Sequence, residues 1–239
     1  MENAIEIINL KKYYYLFDKE YKKIIWTFTK RGSTGKKKVL DNINITVKKG
    51  EIVGVIGKNG TGKSTLMKIV AGITFPTGGE VRVDGTIGSL INLNAGFFPD
   101  YTGRKNIYYK ASLMGVPKEE IDKSIDKMEE FADIGQYFDM PIKMYSSGMR
   151  ARVGFALAIF SNPDILIIDE VFAVGDKDFR QKSYKKTKEM FESGKSILFS
   201  SHSDDQIRSF CDRVIYIKGG KIVFDGHVEE GLKIYNGQK

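Results

Sequence analysis

Hydrophobic and polar positions change their period several times along this chain of 239 residues, and each change marks an expected element. Ala4 to Leu10 reads as a strand, and Ile43, Ile45 and Val47 alternate with polar residues as a half-buried strand does. Lys49-Gly50 turns the chain into Ile52-Val53-Gly54-Val55-Ile56, an apolar run followed at once by a helical spacing at Leu66, Ile69 and Val70. Such a run is a strand covered on both faces, so it opens a βα unit of a parallel sheet. Residues 77 to 91 alternate at Val81 and Val83 around Gly78-Gly79 and Asp84-Gly85, which predicts a small antiparallel element. Residues 104 to 160 read mainly as helices, punctuated by Pro117 and Pro141, with Lys118-Glu119-Glu120 as a charged first turn. Apolar strands at Ile165 to Ile168 and Ile197 to Phe199 flank a helical stretch at 178 to 192, and Val214 to Phe224 folds about Gly219-Gly220 as a hairpin. The class is α/β, without internal repeats.

Composition narrows the chemistry. With 41% hydrophobic and 28% charged residues the chain can build a sizeable core, which excludes disorder as a whole. The longest aliphatic run of its carboxyl half, Ile165 to Ile168, is far short of the ~20 residues of a membrane helix. MENAIEIINL lacks a signal-peptide layout, so a soluble, non-secreted protein is expected. One cysteine, Cys211, and two histidines, His202 and His227, exclude an internal disulfide and a Cys/His zinc cluster. Charge is concentrated rather than spread: residues 11 to 38 hold ten basic side chains against Asp18 and Glu20, which accounts for the whole net charge of +8. Tyr13, Tyr14, Tyr15, Phe17, Tyr21, Trp26 and Phe28 are interleaved with them. A basic and aromatic surface suits nucleic acid, an anionic membrane or a phosphorylated substrate; the competing reading is a solvated loop with its aromatics against the core.

Gly57-Lys58-Asn59-Gly60-Thr61-Gly62-Lys63-Ser64 has the full P-loop spacing between a strand and a helix, with Thr65 directly after it. Glycines let successive backbone N–H groups approach phosphate oxygens, and the helix that follows adds its positive end. Lys63 is placed to neutralise β- and γ-phosphates and Ser64 to coordinate Mg²⁺. Asp169 and Glu170 end the strand at Ile165, where ligands bind on an open parallel sheet. One carboxylate there can hold Mg²⁺ and the next can orient and deprotonate a water.

Tyr145-Ser146-Ser147-Gly148-Met149 precedes a helix with an apolar face at Val153, Ala156, Leu157 and Phe160, and it resembles the signature motif of ATP-binding-cassette ATPases, usually Leu-Ser-Gly-Gly-Gln. The order of motifs strengthens the resemblance: the P-loop, the signature, the acidic strand end, then Val174-Gly175-Asp176 where the family has its D-loop and His202 where it has its switch histidine. Tyr14 matches the aromatic that stacks on adenine, with Tyr13 and Tyr15 as competitors. The resemblance implies one cassette over residues 1–239, with a P-loop NTPase core and antiparallel β subdomain (1–91 and 163–239) and a helical subdomain (about 92–162). It implies ATP and Mg²⁺ as ligands and a homodimer that sandwiches two ATPs, Ser146, Ser147, Gly148 and Met149 of each copy completing the other's site.

Departures point to a subfamily. The loop after the small β element usually starts with glutamine, but Gln136, Gln181, Gln206 and Gln238 lie elsewhere, leaving Asn92 or Asn94 as stand-ins. Ala95-Gly96-Phe97-Phe98-Pro99, Thr102-Gly103, Asn106 and Glu170-Val171-Phe172-Ala173-Val174-Gly175-Asp176 look like cassettes that drive export of O-antigen, capsule or teichoic-acid polymers. That implies a separate integral membrane permease, peripheral attachment at the cytoplasmic face of the membrane, and a coupling surface at residues 97 to 110. Some such cassettes add a carbohydrate-reading domain; with 13 residues after Gly226, none is expected here. Residues 11 to 38 are expected to meet anionic lipid or the lipid-linked polymer. The alternatives are a cytosolic nucleic-acid-associated cassette ATPase, disfavoured by a single P-loop and no heptad run, and an importer ATPase, disfavoured by the missing glutamine.

Overall fold

The computed structural model describes residues 2–29, 33–169 and 175–237. Buried aliphatic runs make its central sheet, in the order β5-β6-β7-β3-β8-β9. These strands are Ile87–Ser89 (β5), Ile165–Asp169 (β6), Ser196–Ser200 (β7), Ile52–Ile56 (β3), Arg213–Lys218 (β8) and Lys221–Gly226 (β9). All pairs are parallel except β8 with β9, which form the hairpin expected about Gly219-Gly220. A second, antiparallel sheet runs β2-β1-β4, from Gly35–Lys48, Asn3–Leu16 and Gly78–Val83. Helix α2 (Lys63–Val70) follows β3, and its buried Leu66 and Met67 join Leu10, Leu40 and Ile43 of the antiparallel sheet in one core. On the other side, Phe131, Phe138, Phe155 and Phe179 join Ile168 and Phe199 in a second core.

Between β5 and β6 the chain is helical, as Pro117 and Pro141 suggest: α3 (Gly103–Leu113), α4 (Lys118–Asp122), α5 (Ile125–Ala132), 3-10 turns at Gly135–Asp139 and Ile142–Met144, and α6 (Ser147–Phe160). Helix α7 (Lys177–Phe191) links β6 to β7, while α8 (Asp204–Phe210) and α9 (Val228–Asn236) were not apparent in the hydrophobic pattern.

Two segments differ from the sequence reading. Residues 77 to 91 do not form one antiparallel element: β4 pairs with β1, whereas β5 pairs parallel to β6. The switch comes at Gly85, whose φ of +133° suits glycine, and the Asp164 carboxylate accepts hydrogen bonds from both Thr86 N and Thr86 Oγ1 at 2.8 Å. The described residues of the basic and aromatic insertion at 11 to 38, for which a solvated loop was the competing reading, continue the β1–β2 hairpin and add α1 (Glu20–Thr29). Tyr13, Tyr14 and Tyr15 pair with Lys38, Lys37 and Lys36 across the ladder, and Trp26 of α1 packs on Tyr15 at 4.4 Å between ring centroids. Lys30 and Arg31 lie outside the described residues.

Candidate nucleotide site

Strand register brings distant segments to one sheet edge. Ser200 at the end of β7 pairs with Asp169 on one side and with Val55 on the other. Gly57 follows Val55 by two residues and His202 follows Ser200 by two, so the P-loop, Asp169 and His202 emerge side by side at the carboxyl ends of adjacent parallel strands. The side chain of His202 is exposed there, and Ser203 after it caps α8 by accepting from Gln206 N.

The loop takes its shape from its glycines. Gly57, Gly60 and Gly62 have φ of +154°, +78° and +112°. A Cβ on Gly62 would come within 2.6 Å of Leu40 Cδ2, so the loop must be bare where β2 crosses it. Gly62 is also the N-cap of α2 and offers no side chain to its first N–H groups, which leaves that helix end open to an anion. Lys63, only 5% exposed, folds back so that its ammonium donates to Gly57 O at 2.7 Å and Lys58 O at 3.4 Å. Lys58, Asn59 and Gly60 are exposed, Thr61 and Thr65 half-buried, and the Ser64 side chain faces solvent on the first turn.

Asp169 Oδ1 and Ser200 Oγ are buried and have no hydrogen-bond partner among the described residues. An orphaned buried acceptor costs roughly 1–3 kcal/mol unless something satisfies it, so this donor set fits a cation held between Asp169 and Ser64. No group of three or more His, Cys, Asp or Glu that could hold a metal ion is found among the described residues. Glu170, assigned above to the attacking water, lies outside the described residues, as do Val171, Phe172, Ala173 and Val174.

Tyr14 is 42% exposed on β1, with the Lys12 ammonium 5.0 Å from its ring centre. Lys12 pairs with Leu40, the residue against Gly62, and Tyr14 pairs with Lys37 further along the same hairpin. Tyr15 packs at a tilt on Trp26, and the Lys36 ammonium covers Tyr13 at 3.8 Å.

The Ser146 to Met149 segment lies in a separate cleft of about 660 Å³, lined also by Asp133, Tyr137, Gly175 and Asp176 and by no P-loop residue. Ser146 caps α6 by accepting from Met149 N at 3.1 Å, while Ser147 is exposed and Gly148 half-buried. Tyr145, where the family motif has leucine, is buried; its hydroxyl lies 2.5 Å from Tyr137 O, accepts from Gly103 N, and is pushed up to about 12 by burial. The sequence reading passed over Arg152, which ties this cleft together by pairing with Asp176 and donating to Asp133 O at 3.0 Å. Its signal was a second arginine, after Arg150, on the edge of the apolar part of the helix.

The expected coupling surface at residues 97 to 110 is built around Asn106. This fully buried amide accepts from Phe98 N at 2.7 Å and donates to Phe98 O, Tyr101 O and Thr102 O. It holds Phe98 where the ring packs on Tyr109 at 4.6 Å while staying 43% exposed.

Residues 40–173 match the sequence profile of the family described as ABC transporter. The chain is 40% identical over 98% of its length to the teichoic acids export ATP-binding protein TagH of Bacillus cereus, of which it spans 43%. It is 42% identical over 82% of its length to the O-antigen export system ATP-binding protein RfbB of Klebsiella pneumoniae, covering 80% of that protein. With TagH of Staphylococcus haemolyticus it shares 37% identity over 98% of its length and 89% of the relative. Among solved structures, an ATP binding subunit of an ABC transporter superposes with a TM-score of 0.72 at 19% identity, over 98% of this chain and 93% of that one. The cassette MJ0796, solved as a dimer with ADP and Pi, gives 0.69 at 23% identity over 94% and 98%. These likenesses speak for the fold. With the P-loop and Asp169 on one sheet edge and a profile match over more than half of its length, the chain belongs to the ABC transporter family.

Proposed function

We propose that this chain is the ATP-hydrolysing subunit that powers export of a lipid-linked polysaccharide or teichoic acid through a separate membrane permease. The observation that carries the reading is the row Val55–Ser200–Asp169, which aligns the P-loop with a carboxylate whose Oδ1 has no partner among the described residues. Backbone N–H groups of residues 57 to 62 and the Lys63 ammonium bind the phosphates, and Tyr14 stacks on the base. Ser64 and Asp169 would hold Mg²⁺, which when bound draws charge from the β- and γ-phosphate oxygens. Glu170 orients and deprotonates the attacking water, and His202 steadies the terminal phosphate.

Because the Ser146 cleft shares no residue with the P-loop, each chain carries two half-sites, which supports a homodimer with ATP between copies. The helical lobe at about 92 to 162 then moves against the core (1–91 and 163–239) as the dimer closes. Among the described residues no helix is long and apolar enough to cross a membrane, and we place the chain peripherally at the cytoplasmic face. The polymer class follows the names of the TagH and RfbB relatives. The hairpin arm at residues 11 to 38 would meet anionic lipid or polymer, each lysine contributing up to about 1 kcal/mol at such a surface.

Light scattering with ATP and Mg²⁺ tests the sandwich. Glu170→Gln should bind ATP, lose hydrolysis and become dimeric, and an unchanged mass would remove the dimer. Crosslinking of Phe98→Cys to the permease tests the coupling surface; native Cys211 does not interfere, because burial pushes its thiol up to about 12. For the arm, Lys22, Lys23, Lys36, Lys37 and Lys38 changed together to glutamine should weaken binding to anionic liposomes. A loss confined to nucleic-acid binding would favour the nucleic-acid-associated alternative.

A further inference from the structure

Two features of the sequence meet in the fold: Tyr145, where the family motif has leucine, and Gly103, in the first turn of α3. Tyr145 is only 4% exposed. Its hydroxyl accepts from Gly103 N at 3.1 Å and lies 2.5 Å from Tyr137 O and 3.1 Å from Phe138 O. N–H groups of a first turn have no carbonyl within their own helix, so the hydroxyl supplies a partner that leucine could not. A Cβ on Gly103 would collide with that hydroxyl and come within 3.0 Å of Phe138 O. Since the φ of Gly103 is not left-handed, the glycine serves here for space and not for backbone freedom. Tyrosine and glycine are a matched pair, 42 positions apart.

The pair governs how the chain enters α6. Tyr145 directly precedes Ser146, the N-cap. An apolar side chain in that place commonly packs on the fourth residue of its own helix, which fixes the entry angle. Here the fourth residue is Arg150, and Tyr145 is anchored on α3 and on the 3-10 turn at Gly135–Asp139 instead. Backbone bonds stitch the same seam, from Ile142 N to Tyr101 O and from Lys143 N to Pro99 O, each 2.9 Å. Ser146 Oγ accepts from Met149 N, while the N–H groups of Ser147 and Gly148 have no carbonyl within the helix and suit an incoming phosphate oxygen. Where those groups stand therefore follows the Tyr145 anchor.

We propose that Tyr145 is a positioning residue whose hydroxyl, seated against the bare Gly103, sets Ser146 to Met149 in the place that the partner copy's ATP requires as the dimer closes. The inference rests on the sandwich-dimer reading. Tyr145 acts through Ser146 and not on the nucleotide, so its loss falls on dimer closure and spares the first binding of ATP at the P-loop.

The test is sedimentation of the full chain with ATP and Mg²⁺ in the Glu170→Gln background, with the ATP affinity of the monomer and melting measured in parallel. Tyr145→Phe should weaken ATP-driven dimerisation by roughly tenfold, about the worth of one buried hydrogen bond, while the ATP affinity of the monomer holds. Gly103→Ala should weaken dimerisation too, and it keeps the test open should Tyr145→Phe fail to fold. Gly103→Ala combined with Tyr145→Phe should do less harm than the two effects added, because the atom that the new Cβ strikes is gone. Dimerisation of Tyr145→Phe equal to that of the background, whatever its melting temperature, would overturn the positioning role, and so would an equal loss of ATP affinity. Strictly additive effects would overturn the matched pair. A background that does not dimerise with ATP would sink the sandwich reading, and the proposal with it.

Discussion

Two lysines held by loop carbonyls, one at each end of the molecule's chemistry, make an instructive pair. Lys63 follows a glycine-rich loop, and its ammonium reaches back to Gly57 O at 2.7 Å; Lys110 reaches Ala95 O at 2.9 Å beside Gly96. Lys63 is buried and Lys110 half-buried, and loop carbonyls accept from both ammonium groups. The walls differ: around Lys63 are bare glycines and an open helix end, which suit a phosphate chain, whereas around Lys110 are the apolar Leu113, Met114 and Leu157.

The largest effect that sharpens this contrast is expected at the phosphate end. Lys63→Ala should abolish ATP binding in calorimetry, because it removes the phosphate counter-charge, while assembly with the membrane subunit survives. Glu170→Gln should retain binding and slow turnover by roughly 10²–10⁴-fold. Turnover within tenfold of the native chain would take Glu170 out of the water-activating role.

Next in size is the scaffold on the Lys110 side. Asn106→Ala leaves Phe98 N without its acceptor and takes one donor from three carbonyls that keep backbone partners, at a cost of about 1–3 kcal/mol, or roughly 2–4 °C of melting temperature per kcal/mol. ATP affinity should hold, and a parallel loss of ATP binding would break the separation of the two regions.

A smaller effect of opposite sign is expected for Lys110→Met, which should stabilise the isolated chain by about 1 kcal/mol at pH 7. Lys110 holds its proton more weakly in the fold, at about 8, than in the unfolded chain, near its ordinary 10.5. The unfolded chain therefore binds more protons between those values, and the native protein gains stability as pH rises through that window. The cost is complete below about pH 8, so the advantage of Lys110→Met should fade toward pH 10.5 in thermal melts. A destabilised Lys110→Met at pH 7 would mean that the lysine serves the fold. The smallest change belongs to Lys143→Ala, which breaks an exposed pair with Asp100 and should shift stability by less than about 1 kcal/mol.

Residues 57 to 64 were legible because a phosphate loop is a local object: its glycines, lysine and serine keep fixed spacing within one turn of chain. Asp169 was legible because an acid closing a buried aliphatic run must stand at a strand end, and the Tyr145 to Met149 motif because a serine N-cap precedes an apolar helical period. Those features depend on neighbours within a few residues, and sequence alone determined them. Pairing over long distances was decided elsewhere. The composition of residues 11 to 38 said only that the segment is basic and aromatic; its two strands and helix arise because Tyr13 to Tyr15 find Lys36 to Lys38 across a hairpin and Trp26 closes on Tyr15. Residues 77 to 91 were divided between two sheets by Asp164, almost eighty positions away from Thr86. The alignment of the P-loop with Asp169 depends on Ser200 lying between them, and the groove around Lys110 on four segments that meet only after folding. Only the tertiary structure could place these, because strand register and side-chain burial are properties of contacts between segments, and no local period of the sequence records which segment will arrive.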